Sequence, residues 1–154
     1  MTPGLQLRLF ELFPPIFIER LDVHSTLHTY GISCRDGWYG LVEQLCHDVQ
    51  QLVSDEHFAQ PVAADVKEKF GKLKVHWRHP RGLDSRVLEL TTQAEDRSCH
   101  ICDLCGAPGR TLSDDGRWRT RCEVHGNDSG WSHQGEMLGT PVVPSSPPSS
   151  ATDE

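Results

Sequence analysis

The sequence predicts an α+β fold, a small helical core with a short sheet and a C-terminal hairpin. Three observations predict it. Apolar residues recur at helical spacing from Trp38 to Val53. They alternate at strand spacing from Leu73 to Trp77. Two pairs of ligand-type residues, Cys102/Cys105 and Cys122/His125, bracket a segment with a strong hairpin-turn signal at Asp115-Gly116.

The 154 residues suffice for one ordinary domain with a real core. Composition divides the chain into three parts. Residues 1–98 read as a helix-rich α+β core with an N-terminal arm. Residues 99–126 read as a metal-clipped hairpin element packed on that core. Residues 127–154 are rich in Pro, Ser, Gly and acids, bury too little apolar surface to offset chain entropy, and read as a disordered acidic tail.

In chain order, residues 5–22 hold two apolar clusters separated by Pro14-Pro15 and read as a short helix or an extended arm laid on the core. Residues 22–35 read as loop, and their His24 and His28 as solvent-facing. Asp36 is placed to cap the clearest helix. Its stripe is Trp38, Leu41, Val42, Leu45, Val49, Leu52 and Val53, and it ends near Ser54-Asp55. Cys46 borders the stripe as a buried thiol. Val62, Val66 and Phe70 are spaced by four, which predicts a short helix over 62–69 ended by Gly71. Residues 72–78 alternate, with Leu73, Val75 and Trp77 inward and Lys72, Lys74, His76 and Arg78 outward, and predict a strand. His79 to Gly82 is a turn. Asp84 or Ser85 caps a second helix to about Arg97, with Leu83, Val87, Leu88, Thr91 and Ala94 as its apolar edge.

The ligand pairs carry the chemistry. Each is a two-residue-gap knuckle, and two knuckles supply the four thiolate and imidazole donors of a tetrahedral metal site. Gly106 after Cys105 suits the sharp turn that a knuckle makes. Arg110 to Leu112 and Arg117 to Arg121 read as two strands joined by Ser113 to Gly116. The whole is the pattern of a zinc ribbon. Cys99 and Cys102 share the spacing, but the glycine and the hairpin follow Cys105, so Cys99 is assigned to the end of the preceding helix. With Cys102, Cys105, Cys122 and His125 all bound, the sphere is closed to water, which favours structural Zn2+ over a catalytic ion.

Charge and motifs narrow the function. The formal net charge is −7, unlike a general nucleic-acid binder. The acids are uneven, however. Residues 61–98 carry eight bases and six acids, and residues 99–125 carry four of each. A basic set of Lys67, Lys69, Lys72 and Lys74 with Arg117, Trp118 and Arg119 is the candidate nucleic-acid face, the plain alternative being solvated lysines and arginines around a packed Trp118. P-loop, GxGxxG and GxSxG motifs are absent, and Cys34 makes no specific pair with any of nine histidines. No window spans a bilayer, and Arg8, Glu11 and the Pro pair interrupt any secretory signal. The cysteines are then expected as ligands and buried thiols, and the cytoplasm as the compartment.

Asp36-Gly-Trp38 before the long helix, Val66-Lys-Glu-Lys-Phe-Gly71-Lys-Leu73, and Cys102-Asp-Leu-Cys105-Gly-Ala-Pro-Gly109 with Trp118, Thr120 and Cys122-Glu-Val-His125 together resemble a family of small proteins of tailed bacteriophages and prophages. The resemblance covers roughly residues 30 to 125. It implies the same four zinc ligands and a setting in the host bacterium's cytoplasm. The family is largely uncharacterised, so function rests on the residues. They favour a non-enzymatic protein that binds and modulates a host protein, in its sharpest form an inhibitor of a defence-system effector such as CRISPR-Cas. A zinc-ribbon nucleic-acid binder is the alternative, and a metal-dependent hydrolase the second alternative.

Overall fold

The computed structural model describes residues 1–18, 32–56, 59–79, 82–114 and 116–127. The readings for residues 19–31, with His24 and His28, and for the tail from residue 128 lie outside the described residues. Helix α1 is Pro3–Leu12. A 3-10 turn at Asp36–Trp38 runs into helix α2, Tyr39–Glu56. Strands β1, Val62–Lys69, and β2, Lys72–Arg78, form one antiparallel hairpin. Helix α3 is Ser85–Ser98. Strands β3, Arg110–Asp114, and β4, Arg117–Arg121, form a second hairpin, and a short helix α4 follows at Glu123–Asn127. The fold is α+β, with two small antiparallel sheets among the described residues. No helix there is long and apolar enough to cross a membrane.

One core joins α1, α2, α3 and the first hairpin. Trp38, Leu41, Val42, Leu45, Cys46 and Val49 line the inner face of α2 and its lead-in turn, and all are buried. They meet Val66, Leu73 and Val75 of the hairpin, Val87 and Ala94 of α3, and Leu9, Ile16 and Phe17 from the N-terminal segment. A short polar relay links β2 to α3 at the edge of this core. Trp77 Nε1 donates to Thr91 Oγ1 at 2.9 Å, and that hydroxyl donates on to Val87 O at 2.6 Å. The edges of the first sheet are covered too. Ser33 N donates to Val66 O and Glu68 N to Ser33 O along β1, and Leu73 N of β2 donates to Ser98 Oγ.

Three expectations are corrected. Residues 62–69 form a strand, not a helix. A spacing of four satisfies a two-residue period as well as a helical one, and pairing with β2 decides for the strand. A register shift between Ala63 and Asp65 blurs the alternation that would have announced it. Gly71 is accordingly a hairpin-turn residue, not a helix cap. Asp36 does not cap α2. It sits inside the 3-10 turn, and its Oδ1 accepts from Thr2 N at 2.7 Å, tying α1 to the turn. Leu88 is half exposed and faces out of α3, while Leu90 packs against the core. The cap of α3 is Asp84, whose side chain accepts from Arg86 N.

Candidate metal centre

The loop after α3 turns the chain into the first knuckle. Cys102 N donates to Ala107 O at 2.8 Å, and Gly106 N donates to Cys102 O at 2.9 Å. Gly106 has φ +78, the left-handed conformation that the turn after Cys105 needs. The second knuckle is the passage from β4 into α4, closed by Gly126 N donating to Cys122 O at 2.8 Å. The hairpin pairs Arg110 with Arg121 and Thr111 with Thr120, which brings the two knuckles to one end.

The four ligand-type residues converge there. Cys102 Sγ, Cys105 Sγ, Cys122 Sγ and one nitrogen of His125 all lie within 4.8 Å of one another. Cys102 Sγ is 3.5 Å and Cys122 Sγ 3.2 Å from His125 Nδ1, and Cys105 Sγ is 3.8 Å from Cys122 Sγ. The three thiols are free, not disulfide-bonded. Burial pushes the Cys102 thiol up, but backbone hydrogen bonds at Cys122, Cys105 and Leu104 and the His125 side chain outweigh it and hold it at about 6. Cys105 goes the other way. A backbone bond at Ala107 lowers it, but burial and the neighbouring Cys102 and Cys122 thiols raise it on balance. Such opposed shifts belong to thiols crowded into one small volume, where a cation relieves the repulsion between thiolates. The group is compatible with a bound metal.

Cys99 stays outside. It closes α3, and its Sγ lies against Glu95 O.

The first knuckle is also a docking surface. Gly37 N donates to Asp103 O at 2.9 Å, and Trp38 Nε1 donates to Ile101 O at 2.8 Å. A Cβ on Gly37 would lie 2.2 Å from Cys102 O and 2.6 Å from Gly106 N. Asp103, 1% exposed, is ion-paired with Arg121 of β4, and Arg35 Nε reaches it at 3.8 Å. Asp103 N donates to Thr120 O. Sequence reasoning missed Arg35, Gly37, Asp103 and Arg121. The one legible signal was an acid between two thiol ligands, where it adds negative charge unless a cation answers it.

The chain matches no protein-family model, no curated protein and no solved structure.

The basic candidates are only partly brought together. Lys67 with Lys74, and Lys69 with Lys72, are cross-strand partners on one face of the first hairpin. Lys67 pairs with Asp65 and Lys74 with Glu95. On the second hairpin, alternation sets Arg117 and Arg119 on one face and Trp118 on the other, the side of Thr120 and Thr111. Arg119 Nη1 lies 3.5 Å from Glu68. The two hairpins meet where Thr120 Oγ1 donates to Gly71 O at 2.6 Å.

Proposed function

We propose that Cys102, Cys105, Cys122 and His125 hold a structural Zn2+, making the second hairpin a zinc ribbon, and that the protein is a non-enzymatic binding module of a tailed phage or prophage that engages a host protein in the bacterial cytoplasm. The observation that carries this reading is the double use of the first knuckle. Its outer side offers two thiols to the metal, and its inner side is consumed by Gly37, Trp38 and the Asp103–Arg121 pair. A metal there supplies a cross-link that fixes a hairpin to the core.

Zinc fits the donor set. Zn–S bonds of about 2.3 Å and Zn–N bonds of about 2.0–2.1 Å give tetrahedral edges of about 3.8 Å between sulfurs and about 3.5 Å between sulfur and nitrogen. Two of the pairs here stand at those lengths, 3.8 Å for Cys105 and Cys122 and 3.5 Å for Cys102 and His125, and Cys122 and His125 are closer at 3.2 Å. Four protein donors complete the tetrahedron, which supports a structural rather than a hydrolytic ion. The phage setting rests on the resemblance of the DGW, KEKFG and CxxCG…CxxH segments. A defence-system effector such as CRISPR-Cas is the sharpest form of the host target, and the acidic chain suits the basic groove of such a partner.

Affinity capture of the full chain from a host carrying defence systems tests the reading, with metal analysis of the same sample. The expected result is a stoichiometric host protein together with bound zinc. Recovery of the bait alone would count against the host-protein reading. A cobalt-substituted protein whose spectrum shows a water-ligated, exchangeable site would count against structural zinc.

A further inference from the structure

The turn of the first hairpin is made of Phe70 and Gly71, and both have positive φ, 54° and 76°. Two-residue hairpin turns of this kind favour Asn-Gly or Asp-Gly. Phe70 is the one non-glycine residue in that region among the described residues, and a bulky aromatic there is strained. Its ring gives folding little in return. The residue is 65% exposed, and its ring contact is Lys69 Nζ, 5.4 Å from the centroid.

The turn is nevertheless held firmly. Gly71 is buried against the second hairpin, where its carbonyl takes the Thr120 hydroxyl and a Cβ would lie 2.8 Å from Thr111 Cγ2. Phe70 is thus set on a rigid ledge rather than on a protruding tip. Lys69 and Lys72 flank it across the strands, and among the described residues neither has an ion-pair partner, whereas Lys67 and Lys74 are committed to carboxylates.

We propose that the Phe70 ring with Lys69 and Lys72 forms a binding site for single-stranded nucleic acid. A nucleotide carries a flat π face and a phosphate on one unit, and the turn presents a ring with the Lys69 ammonium 5.4 Å from it and Lys72 as the cross-strand partner of Lys69. A duplex hides its base faces in the stack, so the strand must be single. An acidic protein surface would answer the lysines alone, whereas a nucleotide answers the ring and the lysines in one unit, and competition by polyglutamate separates the two. The net charge of −7 is no obstacle at this place, because residues 61–98 carry eight bases against six acids.

The purified full chain is titrated into a labelled oligo-dT of about 12 nucleotides, within the range that one small module covers. Binding is expected at low salt, weakening with salt. Phe70→Asn installs the favoured Asn-Gly turn. It is expected to raise the denaturant midpoint while lowering affinity about tenfold or more. Lys69→Gln and Lys72→Gln each reduce the slope of log affinity against log salt by about 0.7. Leu88→Gln, on the outer face of α3, leaves affinity unchanged. The proposal is overturned if the wild-type chain does not bind, if Phe70→Asn binds undiminished or unfolds more easily, or if duplex DNA or polyglutamate competes as well as the single strand. The assay contains no host protein and is read at constant metal content, so its failure leaves the host-protein reading standing.

Discussion

At the residue scale, the side chains that matter most are small or buried. Gly37 is required by close approach. Its neighbours are the backbone atoms of Cys102, Asp103 and Gly106, which cannot swing aside as a flexible side chain would. Gly37→Ala is expected to cost about 3 kcal/mol, at the upper end for overpacking, read as a drop in the urea midpoint. A variant as stable as the parent would show that the knuckle does not pack on the turn. Asp103 makes the same point through charge. It is 1% exposed and faces Arg121, whose side chain is 11% exposed. Asp103→Asn leaves that cation without its partner and is expected to destabilise by about 3–5 kcal/mol. Replacing both, by Asn and Met, should recover most of the loss, and calorimetry of the single and double variants checks the coupling.

At the element scale, the two helices with long periodic patterns were legible in the sequence, and β1 was not. The α2 stripe runs over four turns, so only one face explains it, and Trp38, Leu41, Val42, Leu45 and Val49 are all buried. The eight residues of β1 offered two valines four apart, with Phe70 four further on in the turn, a spacing that fits either period. What fixes β1 is non-local: its ladder with β2, and the bonds of Ser33 to Val66 and Glu68 along its other edge. The ligand quartet was legible because knuckle spacing is local. The docking of the knuckle was not, because Gly37 and Arg35 lie more than sixty residues away from it in sequence. The start of α3 carries a prediction of its own. Asp84 accepts from the Arg86 backbone and guanidinium, and those bonds hold its carboxyl down at about 2. A depressed folded pKa means that the cap stabilises fully above about pH 4 and is lost as pH falls through about 2. Asp84→Ala should show reduced helical circular dichroism already at pH 6, and the difference from wild type should close on acidification to pH 2.

At the scale of the whole molecule, the Cys/His group and the core are tied together by backbone and side-chain bonds. The knuckle holds Gly37 and Trp38 at the head of α2, Ser98 at the end of α3 takes the Leu73 N–H, and Thr120 takes the turn of the first hairpin. Chelation should therefore lower the melting temperature of the entire chain in a single transition and move Trp38 fluorescence with it. Two separate transitions would show that the hairpin unfolds alone. The pH dependence of the stripped protein distinguishes the thiol chemistry from the packing. Cys102 has its folded pKa depressed from 9.0 to about 6. Between those values the unfolded chain binds the proton and the folded chain does not, so this group's contribution shrinks as pH falls from 9 and is gone below about 6. The metal-free protein should lose stability on acidification across that window, and Cys102→Ser should remove that part of the slope. With metal bound, the thiolate is held against protonation by the ion itself, so the slope across the same window should flatten until the pH at which the metal leaves. A metal-free slope that survives Cys102→Ser unchanged would place the titrating group elsewhere in the quartet.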